Sequence, residues 1–92
     1  MELFEDLIFK KHPNPMLNGK QAIMDFPNGW GVSVIIGEDF KSNSVDTYEV
    51  AIRKDKKLNF DNELTQDVIG DVYDINVSEI MERVQLFKKE EK

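Results

Sequence analysis

The stretch "DFPNGWGVSVIIG", residues 25–37, decides how the chain folds, because it reads either as a glycine loop cradling a ligand or as the corner of a β-hairpin. A dinucleotide fingerprint needs G-x-G-x-x-G directly after a strand and at the mouth of a helix, where a pyrophosphate meets the helix N-terminus. Here Gly29, Gly31 and Gly37 are spaced G-x-G-x5-G, and Gly31 is followed by the β-branched run "VSVII", which opens no helix. Asn28-Gly29, by contrast, stands between two alternating apolar segments, and both residues accept positive φ, the condition for a tight hairpin turn. On the hairpin reading Gly29 serves the turn and Gly31 is a bulge or a point of close backbone approach.

Working outward, "KQAIMDF" (residues 20–26) sets Ala22, Met24 and Phe26 on one face, and "WGVSVIIG" (30–37) sets Trp30, Val32, Val34 and Ile36 on one face with Gly31, Ser33, Ile35 and Gly37 on the other. These two strands are expected as antiparallel neighbours. "TYEVAIR" (47–53) alternates in the same way, "KDKK" turns tightly, and "LNF" (58–60) completes a second hairpin with Leu58 and Phe60 on one face. Upstream, "LIFKK" (7–11) reads as a first strand that breaks at "HPNP", although Leu3, Phe4, Leu7 and Ile8 also fit a short amphipathic turn. Residues 61–76 admit a single helical turn from Thr65 through Ile69 ended by Gly70, followed by an extended "DVYDI", or an irregular connection. Asn76 and Glu79 then match the cap and third position of a helix start, and Val77, Ile80, Met81, Val84 and Phe87 recur at three- and four-residue steps. Glu79 and Arg83 are spaced to pair, and Lys88 and Lys89 suit the helix C-terminal end. The expected architecture is one α+β domain over residues 1–92, an antiparallel β-meander of four or five strands with a C-terminal amphipathic α-helix packed on one face.

A chain of 92 residues holds one core, and its 40% apolar residues are enough to build it. The absence of cysteine removes disulfides, thiolate zinc sites and cysteine nucleophiles, and is compatible with a reducing compartment. No signal peptide and no bilayer-spanning run are read in the sequence, so a cytoplasmic location is expected. The formal charge is −6, but its distribution matters more: seven acids and no lysine or arginine lie between Lys57 and Arg83. That balance disfavours direct nucleic-acid binding, which draws its affinity from neutralising phosphates, and suits a protein partner with a basic surface.

Several residues invite a chemical reading. His12, the only histidine, lies between lysine and proline with no nucleophile motif nearby and reads as a surface residue. "DNELTQDVIGDV" (61–72) lacks the glycine and the terminal acid of a calcium loop, so no metal, cofactor or catalytic residue is assigned. Asp61, Glu63, Asp67, Asp71 and Asp74 are either a solvated face or a surface for a basic partner, including mimicry of a phosphate backbone. Trp30 is either a core residue or, were its face left open, an interface anchor.

"FPNGWGVSVI", "YEVAI" and "DVIG" together resemble a class of small, functionally uncharacterised proteins encoded by bacteriophages and prophages. The matching positions are Phe26, Asn28, Gly29, Gly31, Ser33, Val34, Tyr48, Glu49, Ala51, Asp67, Val68, Ile69 and Gly70. The resemblance implies a setting, a bacterial host cytoplasm in which host takeover or the blocking of defences takes place, and no activity. The function expected is that of a small non-enzymatic acidic protein that binds a host protein, with a homodimer through a free sheet edge as a further expectation. Two alternatives stand beside it, a small-molecule or nucleotide pocket near Gly31 and Trp30, and a structural component of a virion.

Overall fold

The computed structural model describes residues 1–88. Six strands form one antiparallel sheet: β1 (Lys10–Lys11), β2 (Lys20–Asp25), β3 (Trp30–Ile36), β4 (Tyr48–Lys54), β5 (Lys57–Leu58) and β6 (Ile69–Val72), followed by helix α1 (Asp74–Gln85). The first five lie side by side in chain order, and β6 returns to pair with β4. One edge of β4 is thus shared: β5 takes Arg53 and Lys54, and β6 takes Tyr48 and Val50.

Register follows the alternation of the sequence. Ala22, Val34 and Val50 stand in one row across β2, β3 and β4, and Met24, Val32 and Ile52 in the next. Val32, Val34, Val50 and Ile52 of these rows, with Phe26 and Trp30, pack against the buried Val77, Ile80, Met81 and Val84 of α1 and against Phe87. Each such side chain contributes about 1.5–3 kcal/mol by leaving water. The opposite face carries Gln21, Ile35 and Glu49, then Ile23, Ser33 and Ala51, then Asp25, Gly31 and Arg53. Across that last row the Arg53 guanidinium grips the Asp25 carboxylate at 3.0 and 3.3 Å. The bridge crosses the position where Gly31 has no side chain, and a Cβ there would collide with the Asp25 carboxylate.

The hairpin between β2 and β3 turns through the three residues Pro27, Asn28 and Gly29. Only Gly29 has positive φ, +88°, and the loop is closed by Phe26 N–H to the Trp30 carbonyl (2.7 Å) and Gly29 N–H to the Phe26 carbonyl (3.1 Å). A two-residue loop would require an N–H from residue 27, and proline has none, so the closing bond moves out to Phe26 and the loop holds three residues. A two-residue turn joins β4 to β5, where Asp55 and Lys56 both take positive φ, 52° and 68°.

Four expectations are corrected. Residues 7–11 give only the two-residue β1, because the segment before it is drawn under the helix: Phe4–Asp6 is a 3-10 turn, Phe4 N–H donates to Ser78 Oγ (3.0 Å), and Gln85 exchanges two 2.8 Å bonds with the backbone of Glu2. The extended segment expected at 71–75 lies earlier, as β6, with Gly70 inside it rather than ending a helical turn. α1 consequently starts at Asp74 with Tyr73 as its cap residue, and Asn76 occupies the third position, its Oδ1 accepting from Tyr73 N–H at 3.2 Å. Glu79 accepts from Asn76 Nδ2 and makes no ion pair with Arg83 among the described residues. Lys89, expected at the helix C-terminal end, lies outside the described residues.

The helix stops where the hairpin corner meets it. Asn28 Nδ2 donates to the carbonyls of Val84 (2.9 Å), Gln85 (3.2 Å) and Phe87 (3.0 Å), and its Oδ1 accepts from Trp30 N–H (3.1 Å). Trp30 Nε1 donates to the Lys88 carbonyl at 3.3 Å, and its indole packs edge-on against Phe87, centroids 4.9 Å apart. Helix ends leave their last carbonyls without intrahelical donors, and here a loop from the other end of the chain supplies them.

Two stability measurements check these assignments. Asn28→Ala should lower the unfolding free energy in urea by about 1–3 kcal/mol, since it strips donors from partly buried carbonyls. Asn28→Asp should cost more than alanine, because it aims a carboxylate at the negative end of the helix. In the same assay Lys56→Gly should stabilise by about 0.5–1 kcal/mol, since glycine takes left-handed φ without the clash a Cβ brings.

Candidate functional site

The acidic residues singled out in the sequence fall on the segment that carries the chain from β5 to α1, and all five are exposed. The first two stand apart. Asp61 and Glu63 flank Asn62, whose Oδ1 accepts from the amides of Leu64 (3.0 Å) and Thr65 (2.9 Å) and so holds an independent turn.

Asp67, Asp71 and Asp74 are gathered by the pairing of β6 with β4. Val72 stands opposite Tyr48 and Ile69 opposite Val50, so one more residue lies between the contacts on β6 than on β4. The surplus is a bulge, and Asp71 takes the left-handed conformation within it, φ 54°. Aspartate tolerates that region better than most residues. The bulge turns the Asp71 amide away from β4 and onto the Lys41 carbonyl (2.9 Å) in the loop between β3 and β4. Lys41 Nζ lies 3.8 Å from the Asp67 carboxylate, a widely exposed pair that contributes little stability. The side chain of Asp71 accepts from Thr47 Oγ1 at 3.4 Å, and Asp74, the first residue of α1, accepts from the Ile75 amide at 2.8 Å.

Asp46 joins this group, and sequence reasoning missed it. It belongs to the β3–β4 loop, which is tied by Asn43 Oδ1 accepting from the amides of Val45 (2.9 Å), Asp46 (2.9 Å) and Thr47 (3.0 Å). No sequence spacing connects Asp46 with Asp74; only the pairing of Tyr48 with Val72 does. Between them sits Tyr48, packed against Phe4 (5.1 Å) and Phe9 (5.7 Å). Burial raises the Tyr48 pKa above its ordinary value of 10.0, and the carboxylates of Asp74 and Asp46 push it further. The rim is therefore a set of carboxylates around the phenol and the β3–β4 loop, with Lys41 as the cation paired to it.

Trp30 belongs to another part of the molecule. It is 7% exposed, and the Lys54 ammonium lies 5.3 Å from the centre of its ring. Of its two readings, the core reading fits this burial. Trp30 stands opposite Lys54 at one end of β4, and the carboxylate rim surrounds Tyr48 at the other, about 20 Å away along the strand. Trp30 and Gly31, being consecutive on β3, face opposite sides of the sheet, and the Gly31 side is crossed by the Arg53–Asp25 bridge. One pocket lined by both residues has no common side of the sheet to occupy. His12 packs against Phe40 (5.1 Å), with its Nδ1 accepting from the Asn14 amide (3.1 Å). Among the described residues no three His, Cys, Asp or Glu side chains converge as a metal-binding group, and no helix is long and apolar enough to cross a membrane.

Comparison with protein-family models, with curated proteins and with solved structures gives no match. The rim is accordingly read from its own chemistry: carboxylates that accept hydrogen bonds and attract cations, on a backbone held by one bulge and one tied loop.

The phenol provides a direct readout of this electrostatic environment. A proton held more tightly in the folded state favours folding below the unfolded pKa, and that advantage disappears as pH rises through the folded value. Stability should therefore fall above about pH 10, the unfolded tyrosine value. Tyr48→Phe should flatten that decline when unfolding is followed against pH. Asp74→Asn should lower the Tyr48 titration midpoint in an ultraviolet titration.

Proposed function

We propose that the protein is a small non-enzymatic binding module that docks a basic surface of another protein on its carboxylate rim. The observation that supports this most is the exposure of Asp61, Glu63, Asp67, Asp71 and Asp74 on one connecting segment, where the only ion pair among the described residues is the loose one from Lys41 to Asp67. Carboxylates already neutralised by their own chain would have little left to offer a partner. The rim rests on a sheet with an amphipathic helix packed on one face. That scaffold holds Asp71 and Asp74 in place without their own side chains having to fill the core.

The recognition would be electrostatic in character. Such surfaces speed association and select against partners of the same sign more than they add affinity, and they weaken as salt rises. The resemblance to phage and prophage proteins gives the setting we assign, a bacterial host cytoplasm, with a host factor as the partner and host takeover or the blocking of defence as the outcome.

The test is affinity capture from bacterial lysate with mass spectrometry, run in parallel with the triple variant Asp67→Asn, Asp71→Asn and Asp74→Asn. Asparagine keeps the left-handed backbone at 71 and an acceptor at 74, so the melting temperature should be little changed while recovery of the captured protein falls by about 10-fold or more. Equal recovery by the triple variant, or capture unaffected by salt, would remove the rim from the proposal.

A further inference from the structure

The opposite edge of the sheet has different chemistry. Phe26 N–H bonds to the Trp30 carbonyl, and in an antiparallel ladder such pairs alternate, so Met24, Ala22 and Lys20 also turn their amides and carbonyls toward β3. Gln21, Ile23 and Asp25 turn theirs the other way. β1 pairs only with Gln21 and Lys20, because the chain before Lys10 leaves the edge to pass toward Phe4 and the helix. At Ile23 and Asp25 the outward backbone groups consequently have no strand beside them.

A groove of about 470 Å³ lies along this edge, lined by Ile8, Lys10, Lys11, Pro13, Gln21 and Ile23. Two of these are exposed apolar side chains, Ile8 at 75% and Ile23 at 48%. Neither Lys10 nor Lys11 forms an ion pair with a described residue. In a chain of net charge −6 this is a locally positive, partly apolar groove beside an unfilled strand position. At physiological salt, screening over about 8 Å makes the nearby lysines, rather than the distant carboxylates, the charges that a ligand in the groove meets.

We infer that this edge of β2 takes up an extended acidic segment of a partner polypeptide as an added strand. Its backbone bonds the outward groups of Ile23 and Asp25, an apolar side chain rests on Ile8 and Ile23, and its acidic side chains draw in the long, exposed side chains of Lys10 and Lys11, which leave β1 from its two faces and both border the groove. Strand addition divides the work in this way: main-chain bonds supply affinity, and the alternate side chains supply selectivity. The acidic character of the occupant follows from the two unpaired lysines. This surface is separate from the carboxylate rim and calls for a ligand of opposite charge.

The test is titration of the isotope-labelled protein with a synthetic hexapeptide of alternating valine and glutamate, followed by amide NMR and hydrogen exchange, with a valine–lysine hexapeptide in parallel. The expected result is shifts confined to β1, β2 and the groove, slowed exchange at the Ile23 and Asp25 amides, and binding of the lysine peptide weaker by about 10-fold or more. Ile23→Pro removes an outward amide that no neighbouring strand uses and should abolish binding. Should that variant fail to fold, Lys10→Glu with Lys11→Glu, both exposed, serves instead and should reverse the preference between the two peptides. The inference is overturned by equal binding of both peptides, by shifts centred elsewhere, or by no binding at about 1 mM peptide. Shifts at this edge that depend on protein concentration alone would also overturn it, assigning the edge to a second copy of the chain.

Discussion

The contact between Asn28 and the end of α1 is the interaction on which the rest of the structure depends. A helix laid over a sheet must end somewhere, and its last carbonyls must find donors or remain exposed to water. Here one carboxamide reaches two of them, those of Val84 and Gln85, and the Phe87 carbonyl just beyond, while its own oxygen holds the Trp30 amide, so a single side chain fixes both the hairpin loop and the helix terminus. Trp30 strengthens the joint by packing on Phe87 and donating to the Lys88 carbonyl. The burial of Val77, Met81 and Val84 against β3 and β4 then follows from where the helix is pinned.

The sheet is organised around β4, whose outer edge is divided between β5 and β6. After the tight turn at Asp55 and Lys56, β5 runs for only Lys57 and Leu58, which leaves the Tyr48 end of that edge of β4 for the connecting segment to reach. That return brings the acidic segment beside the β3–β4 loop, and the bulge at Asp71 aims its amide at Lys41 rather than at β4. Charge is thereby sorted to the two edges of the sheet, with carboxylates around Tyr48 on the β6 side and Lys10 and Lys11 in the groove on the β2 side. Because nearby charges dominate at physiological salt, each edge presents its own sign despite the net negative charge.

Much of this was legible in the residues. β2, β3 and β4 were visible because alternation puts Ala22, Met24, Val32, Val34, Val50 and Ile52 on one face, and the buried positions of α1 recur at helical spacing. The close-approach reading of Gly31 was available from sequence, although the Arg53–Asp25 bridge that occupies the space was not. The turn at Pro27, Asn28 and Gly29 was likewise legible, although only Gly29 takes the positive φ that both Asn28 and Gly29 accept. β6 was expected two residues late, as an extended segment at 71–75, because Ile69–Val72 holds a glycine and an acid and carries little strand signal; its pairing with Tyr48 and Val50 supplies what propensity lacks. The acidic residues were identified as a group, yet only Asp67, Asp71 and Asp74 assemble, and Asp46 joins them from a distant loop.

The opening stretch shows where the division lies. Local alternation and turn chemistry are enough to specify a hairpin at residues 25–37, because side-chain period and backbone φ are properties of neighbouring residues. The sequence by itself also pointed to a geometric role for Gly29 and Gly31, and the structure has Gly29 at positive φ and Gly31 in close approach to Asp25. Tertiary structure alone decided that Asn28 caps a helix 56 residues further on, that Trp30 is buried, and that carboxylates from two segments surround one phenol. Those outcomes depend on which surfaces meet when the sheet closes over the helix, and that is set by burial across the whole chain rather than by any local spacing.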